Sequence, residues 1–110
     1  IWYENVGTPG DGSTWGKHRL ARFEFAFEAF AGDIDGDGDL DVAATAFGGN
    51  GGVIWLENNG DPHAEFTKHI LKEIWPKANQ IIMADLNGDG RLDIAASNER
   101  GANEIRWWRK

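Results

Sequence analysis

The chain has 110 residues, 41% of them apolar and 26% charged, which suits one small folded domain or a slice of a repeat array rather than a disordered segment. Eighteen acidic residues against eleven basic ones leave a net charge of −7, so a nucleic-acid backbone is a poor partner, and no apolar run is long enough to span a membrane. Without cysteine there are no disulfides, thiolate metal sites or thiol nucleophiles, while fifteen glycines clustered with Asp and Asn predict a turn-dense, all-β chain.

In chain order, Trp2–Asn5 reads as a short strand, and residues 1–14 as that strand plus a linker. Trp15–Leu20 follows as a second strand. Arg22–Ala29 places Phe23, Phe25 and Phe27 at strict period two, the pattern of a half-buried strand, and reads as an insertion overlapping the next strand. An acidic loop, residues 33–41, leads into the apolar strand that starts at Val42. Asn50-Gly51-Gly52 and Asn59-Gly60-Asp61 supply positive-φ turn positions on either side of Ile54–Asn58. Further strands are predicted at Thr67–Leu71, Gln80–Asp85, Asp93–Ser97 and Glu104–Arg109, with a second acidic loop at 85–93.

These elements repeat. Asp33–Ala44 recurs as Asp85–Ala96 at an offset of 52, Trp15–Leu20 recurs as Phe66–Leu71, and Ile1–Asn5 recurs as Ile54–Asn58 and again as Arg106–Lys110. The frame this suggests is one unit over residues 15–60 and a second over 61–110, each of four antiparallel strands, preceded by the last strand of another. A four-stranded repeat of about this length is the unit of a β-propeller, and such a blade buries its faces only against neighbours. Neighbouring blades are therefore expected, either from the same longer chain or from other subunits that swap the first strand.

Both acidic loops fit Asp-x-(Asp/Asn)-x-Asp-Gly-x-x-Asp. In the first, Asp33, Asp35, Asp37 and Asp41 stand at positions one, three, five and nine, with the backbone carbonyl of Asp39 at seven. In the second, the same positions fall to Asp85, Asn87, Asp89 and Asp93, with the carbonyl of Arg91. Alternate spacing turns oxygens towards one point, and Gly38 and Gly90 permit the reversal, so two Ca²⁺ sites are expected. Two carboxylates ~4 Å apart repel by ~1 kcal/mol in water and ~4 kcal/mol at an effective dielectric of 20, a sign that a divalent ion reverses. An EF-hand is excluded: position twelve is Ala44 and Ala96 in place of Glu, and strands follow instead of helices.

Asp33–Ala44 and Asp85–Ala96, with the Ile-Trp-x-Glu-Asn-like strand and the Trp/Phe-x-x-His-x-Leu strand, resemble the FG-GAP/VCBS repeats of integrin-α-like propellers. That resemblance implies a calcium-stapled β-propeller, extracellular or at the cell surface, used in adhesion, glycan or protein recognition, or surface assembly. The Phe-Gly/Gly-Ala-Pro element of the family is reduced to Phe47-Gly48-Gly49 in the first copy, and the second copy has Asn98-Glu99-Arg100 there.

Catalytic groups should break a repeat, because packing needs the same residue in every copy. Glu4 and Glu57 recur, as do His18 and His69, so they are read as structural; His63 stands alone beside Pro62 in a turn. Trp2, Trp55 and Trp107 recur and are read as core, whereas Trp75 and Trp108 break the repeat and are the candidate ligand-stacking residues. No constellation for chemistry stands out, and a non-catalytic module is expected. The alternative is a propeller domain of a secreted polysaccharide lyase or hydrolase whose catalytic residues lie elsewhere.

Overall fold

The computed structural model describes residues 1–100 and 102–110, which form nine β-strands and no helix. They are β1 (Trp2–Asn5), β2 (Trp15–His18), β3 (Ala26–Gly32), β4 (Asp41–Ala46), β5 (Gly52–Glu57), β6 (Thr67–Lys72), β7 (Ala78–Ala84), β8 (Asp93–Asn98) and β9 (Ile105–Trp108). Hydrogen bonding joins them into three antiparallel sheets: β1-β2, β3-β4-β5-β6 and β7-β8-β9. This is the meandering sheet of a propeller blade, once complete and twice in part.

The sheets are not in phase with the frame 15–60 and 61–110. The complete sheet runs from Ala26 to Lys72 and takes β6, the first strand of the second copy, as its fourth strand, while β2 turns back onto β1. A tandem repeat defines a period without a phase; the phase follows from which cross-strand pairs form. Here Trp55 stacks on His69 across β5 and β6 with ring centroids 4.3 Å apart, and Trp2 stacks on His18 across β1 and β2 at 4.7 Å.

Residues alternate along β4 and β5, and both faces of the central sheet are covered. One face presents Ala43, Val53 and Trp55 to Ala78, Ile81, Met83, Ile94 and Ala96 of the last sheet, with Ile34 and Trp75 completing that core. The other presents Ala44, Ile54 and Leu56 to Leu20 and Phe66, against which Trp2 and Phe23 pack. Polar stitches cross between the sheets: Glu28 Oε2 accepts the Ile81 N–H at 2.7 Å, and the Thr45 hydroxyl donates to the Asn79 carbonyl.

The phenylalanine-rich segment is neither an insertion nor a regular half-buried strand. Phe25 has φ +57° and is 73% exposed, its counterpart Lys77 has φ +60°, and each is followed by a strand with the same bulge, at Ala26/Ala29 and Ala78/Ile81. Residues 22–29 are thus an ordinary part of the repeat, and period-two Phe spacing was misleading because a left-handed residue interrupts the pleat. Of the recurrent tryptophans, Trp55 is buried and Trp2 half-buried, but Trp107 is 50% exposed and does not belong to the core described here.

Candidate metal centre

Each acidic loop joins two antiparallel strands, β3 to β4 and β7 to β8, at the same end of the sheets. In the first, Asp33 accepts the N–H of Gly36 at 2.7 Å and of Gly38 at 3.1 Å, Asp35 that of Asp37 at 3.2 Å, and Asp37 that of Asp39 at 3.0 Å. The second loop repeats this: Asp85 accepts from Gly88 at 2.7 Å and Gly90 at 2.8 Å, Asn87 from Asp89 at 2.8 Å, and Asp89 from Arg91 at 3.0 Å. Gly38 and Gly90, at φ +97° and +85°, take the left-handed reversal that glycine allows cheaply.

In the first loop, carboxylate oxygens of Asp33, Asp35 and Asp37 lie within 4.8 Å of one another. Asp39 adds a buried Oδ1 without a hydrogen-bond partner, and among the described residues no Lys, Arg or His forms an ion pair with any carboxylate from Asp33 to Asp41. Loss of water around Asp35 pushes its carboxyl above the ordinary range, and neighbouring negative charges add to this; Asp39 is raised for the same reasons. The second loop is better compensated. There the Asn87 amide donates to Asp89 Oδ2 at 2.9 Å, and backbone N–H groups, that of Gly90 foremost, hold the Asp85 carboxyl below its ordinary value. All-oxygen donors with surplus negative charge fit Ca²⁺ in loop one, and the amide-softened set of loop two fits it with less charge.

The ninth position is built differently from the first five. Asp41 and Asp93 are fully enclosed at the start of their strands, and each uses both oxygens on backbone N–H groups. Asp41 accepts from Ile34 and Asn58, both at 2.9 Å; Asp93 accepts from Leu86 at 3.2 Å and Lys110 at 3.3 Å. They tie the acidic loop to the end of the third strand of each sheet. Asn58 and Lys110 have no feature in the sequence that marks them for this role except their common spacing from Asp41 and Asp93, since any non-proline residue can donate the bond.

Trp75 and Trp108, the candidate ligand-stacking residues, pack inward instead of standing out as open faces, Trp75 buried and Trp108 half-buried. Trp75 is 3% exposed and lies in the inter-sheet core, where Trp108 meets it edge-on at 5.8 Å. Trp75 looked like a repeat-breaker by identity, yet its counterpart Phe23 also packs on a core face, so an aromatic at this position is a packing residue in both copies. The main chain draws it inward: Trp75 N–H donates to the Asn50 carbonyl at 2.8 Å, and Gly51 pairs with it in an isolated bridge. The recurrent Glu and His residues pair with each other, His18 Nε2 with Glu4 Oε2 at 2.9 Å and His69 Nε2 with Glu57 Oε2 at 2.6 Å.

Stacked antiparallel sheets, two of them with an Asp-rich loop between the same two strands, define a β-propeller repeat protein. The chain belongs to the FG-GAP-like repeat family, whose model matches residues 33–96 and so takes in both acidic loops. Comparison with curated proteins and with solved structures gave no match.

Proposed function

We propose that the chain is a calcium-stapled, non-catalytic propeller module working outside the cell, where Ca²⁺ is abundant enough for loops of this type. The observation that carries the reading is the convergence of Asp33, Asp35 and Asp37 without any cationic partner, in a loop whose plan recurs in register at Asp85–Asp93. In this reading Ca²⁺ fixes one end of the β3–β6 and β7–β9 sheets and leaves the opposite end for a glycan or protein partner. That end carries the turn through Gly48–Gly51 with exposed Phe25 and Phe27 beside it. Tyr3, Trp15, Ile82, Ile105 and Trp107 are exposed apolar side chains on the two outer sheets, and neighbouring blades are their proposed cover.

Calorimetric Ca²⁺ titration after chelation, with Mg²⁺ as control and thermal unfolding alongside, tests the reading. Two Ca²⁺ per chain and a selective rise in Tm are expected, with Asp37→Ala and Asp89→Ala each removing one ion. Absence of binding at millimolar Ca²⁺ would sink the proposal and leave the loops as solvated turns.

A further inference from the structure

We propose that Glu4, His18 and His63 form a site for a divalent transition-metal ion of the Zn²⁺ type, distinct from the acidic loops and independent of whether those hold Ca²⁺. The nitrogens His18 Nε2 and His63 Nε2 approach the same oxygen, Glu4 Oε2, at 2.9 and 3.2 Å, and all three atoms lie within 4.8 Å of one another. Zn–N and Zn–O bonds of about 2.0–2.2 Å make the edge of a tetrahedral site roughly 3.3 Å, so the two nitrogen–oxygen separations match two such edges to within a few tenths of an ångström. Two imidazoles and one carboxylate suit Zn²⁺, Cu²⁺ or Ni²⁺ rather than Ca²⁺ or Mg²⁺. Glu4 is 36% and His63 53% exposed, which leaves the remaining corner to water.

The site is built, not incidental. Trp2 stacks on His18 and donates its indole N–H to the Pro62 carbonyl at 3.1 Å, pinning the 58–66 connection over the β1–β2 hairpin and presenting His63. His63 N–H is itself held by Asp61 Oδ1 at 3.0 Å, and the same carboxylate oxygen lies 3.6 Å from His63 Nδ1, where it can orient the ring once Nε2 binds metal.

The repeat supplies an internal control. Glu57 and His69 form the corresponding pair, stacked on Trp55 in the same way, so Glu–His–Trp alone meets the packing need. One departure marks the first copy: Gly16 faces Glu4 across the hairpin where Thr67 faces Glu57. A Cβ on Gly16 would sit 3.1 Å from His18 Nε2 and 3.5 Å from Glu4 Oε2, crowding the two donor atoms themselves.

The test is Zn²⁺ titration of the full chain in millimolar Ca²⁺, which occupies or outcompetes the acidic loops, followed by calorimetry and Trp fluorescence with Cu²⁺ as a quencher. One Zn²⁺ per chain is expected. His63→Ala should weaken it at least tenfold without changing the metal-free Tm, Gly16→Thr should weaken it while keeping the hairpin, and His69→Ala should leave it unchanged. Failure to bind one equivalent, retention of affinity in His63→Ala, or equal loss in His69→Ala would each overturn the site.

Discussion

A wholly enclosed carboxylate needs partners for both oxygens, and Asp41 finds them in the N–H groups of Ile34 and Asn58, which otherwise have no acceptor in this arrangement. Asp41→Ala should therefore cost about 2–3 kcal/mol even in chelator, read as a lower urea midpoint, because two charge-assisted bonds are lost at once. An unchanged midpoint in chelator would mean that Asp41 matters only through a bound ion. Gly51 is constrained from another direction: its φ is +60°, and an added Cβ would fall 2.0 Å from the Trp75 carbonyl oxygen. Gly51→Ala should cost at least ~2 kcal/mol by the same assay, whereas Gly49→Ala, with open space around it, should be near neutral. At this scale the sequence was a partial guide. Alternating Asp and the paired Gly announced the acidic loops, but the fate of Trp75 depended on a backbone bridge between residues 24 positions apart, which neither its identity nor its neighbours encode.

At the scale of the element, the two acidic loops share a backbone plan and differ in charge compensation. Asp35 and Asp39 titrate above the ordinary 3.8, so in chelator their contribution to stability is present below that value and is lost as pH rises through their folded values. Asp85 is depressed, so its contribution is present above 3.8 and is lost as pH falls through its folded value. Carboxyl-carbon NMR in chelator should show Asp35 titrating at higher pH than Asp85. Added Ca²⁺ should move Asp35 to lower pH more than Asp85, since loop one has more unrelieved repulsion to lose. Equal titration of the two would mean that the loops do not differ in charge compensation. The hairpins tell a related story. Glu4 and His18 were each legible as recurrent residues, but their pairing and their meeting with His63 required the hairpin to close and the nine-residue connection to fold over β1, and such placement leaves no periodic trace in the chain.

For the whole molecule, strand content and the repeat were readable because a blade buries alternate residues on both faces and turns at Gly, Asn and Asp between them. Phase was not readable, since a 52-residue period is satisfied equally by a sheet beginning at β2 or at β3. The covered and uncovered faces make a quantitative contrast. Trp55 lies against the last sheet, while Trp107, at the equivalent place in the next copy, is half-exposed. Trp55→Ala should cost about 3–5 kcal/mol, and Trp107→Ala well under 1 kcal/mol in the 110-residue chain. If a further blade packs there, appending the next repeat should raise the Trp107→Ala cost towards the Trp55 value; a cost that stays small would mean that face meets no blade.

The borrowing of β6 by the preceding sheet also bears on how such a gene can change length. Because the strands recur with the period of the repeat, a duplication or deletion of one period restores complete interior sheets whatever codon it starts from. Unequal recombination therefore need not respect any domain boundary, and copy number becomes a variable that selection can adjust in single steps.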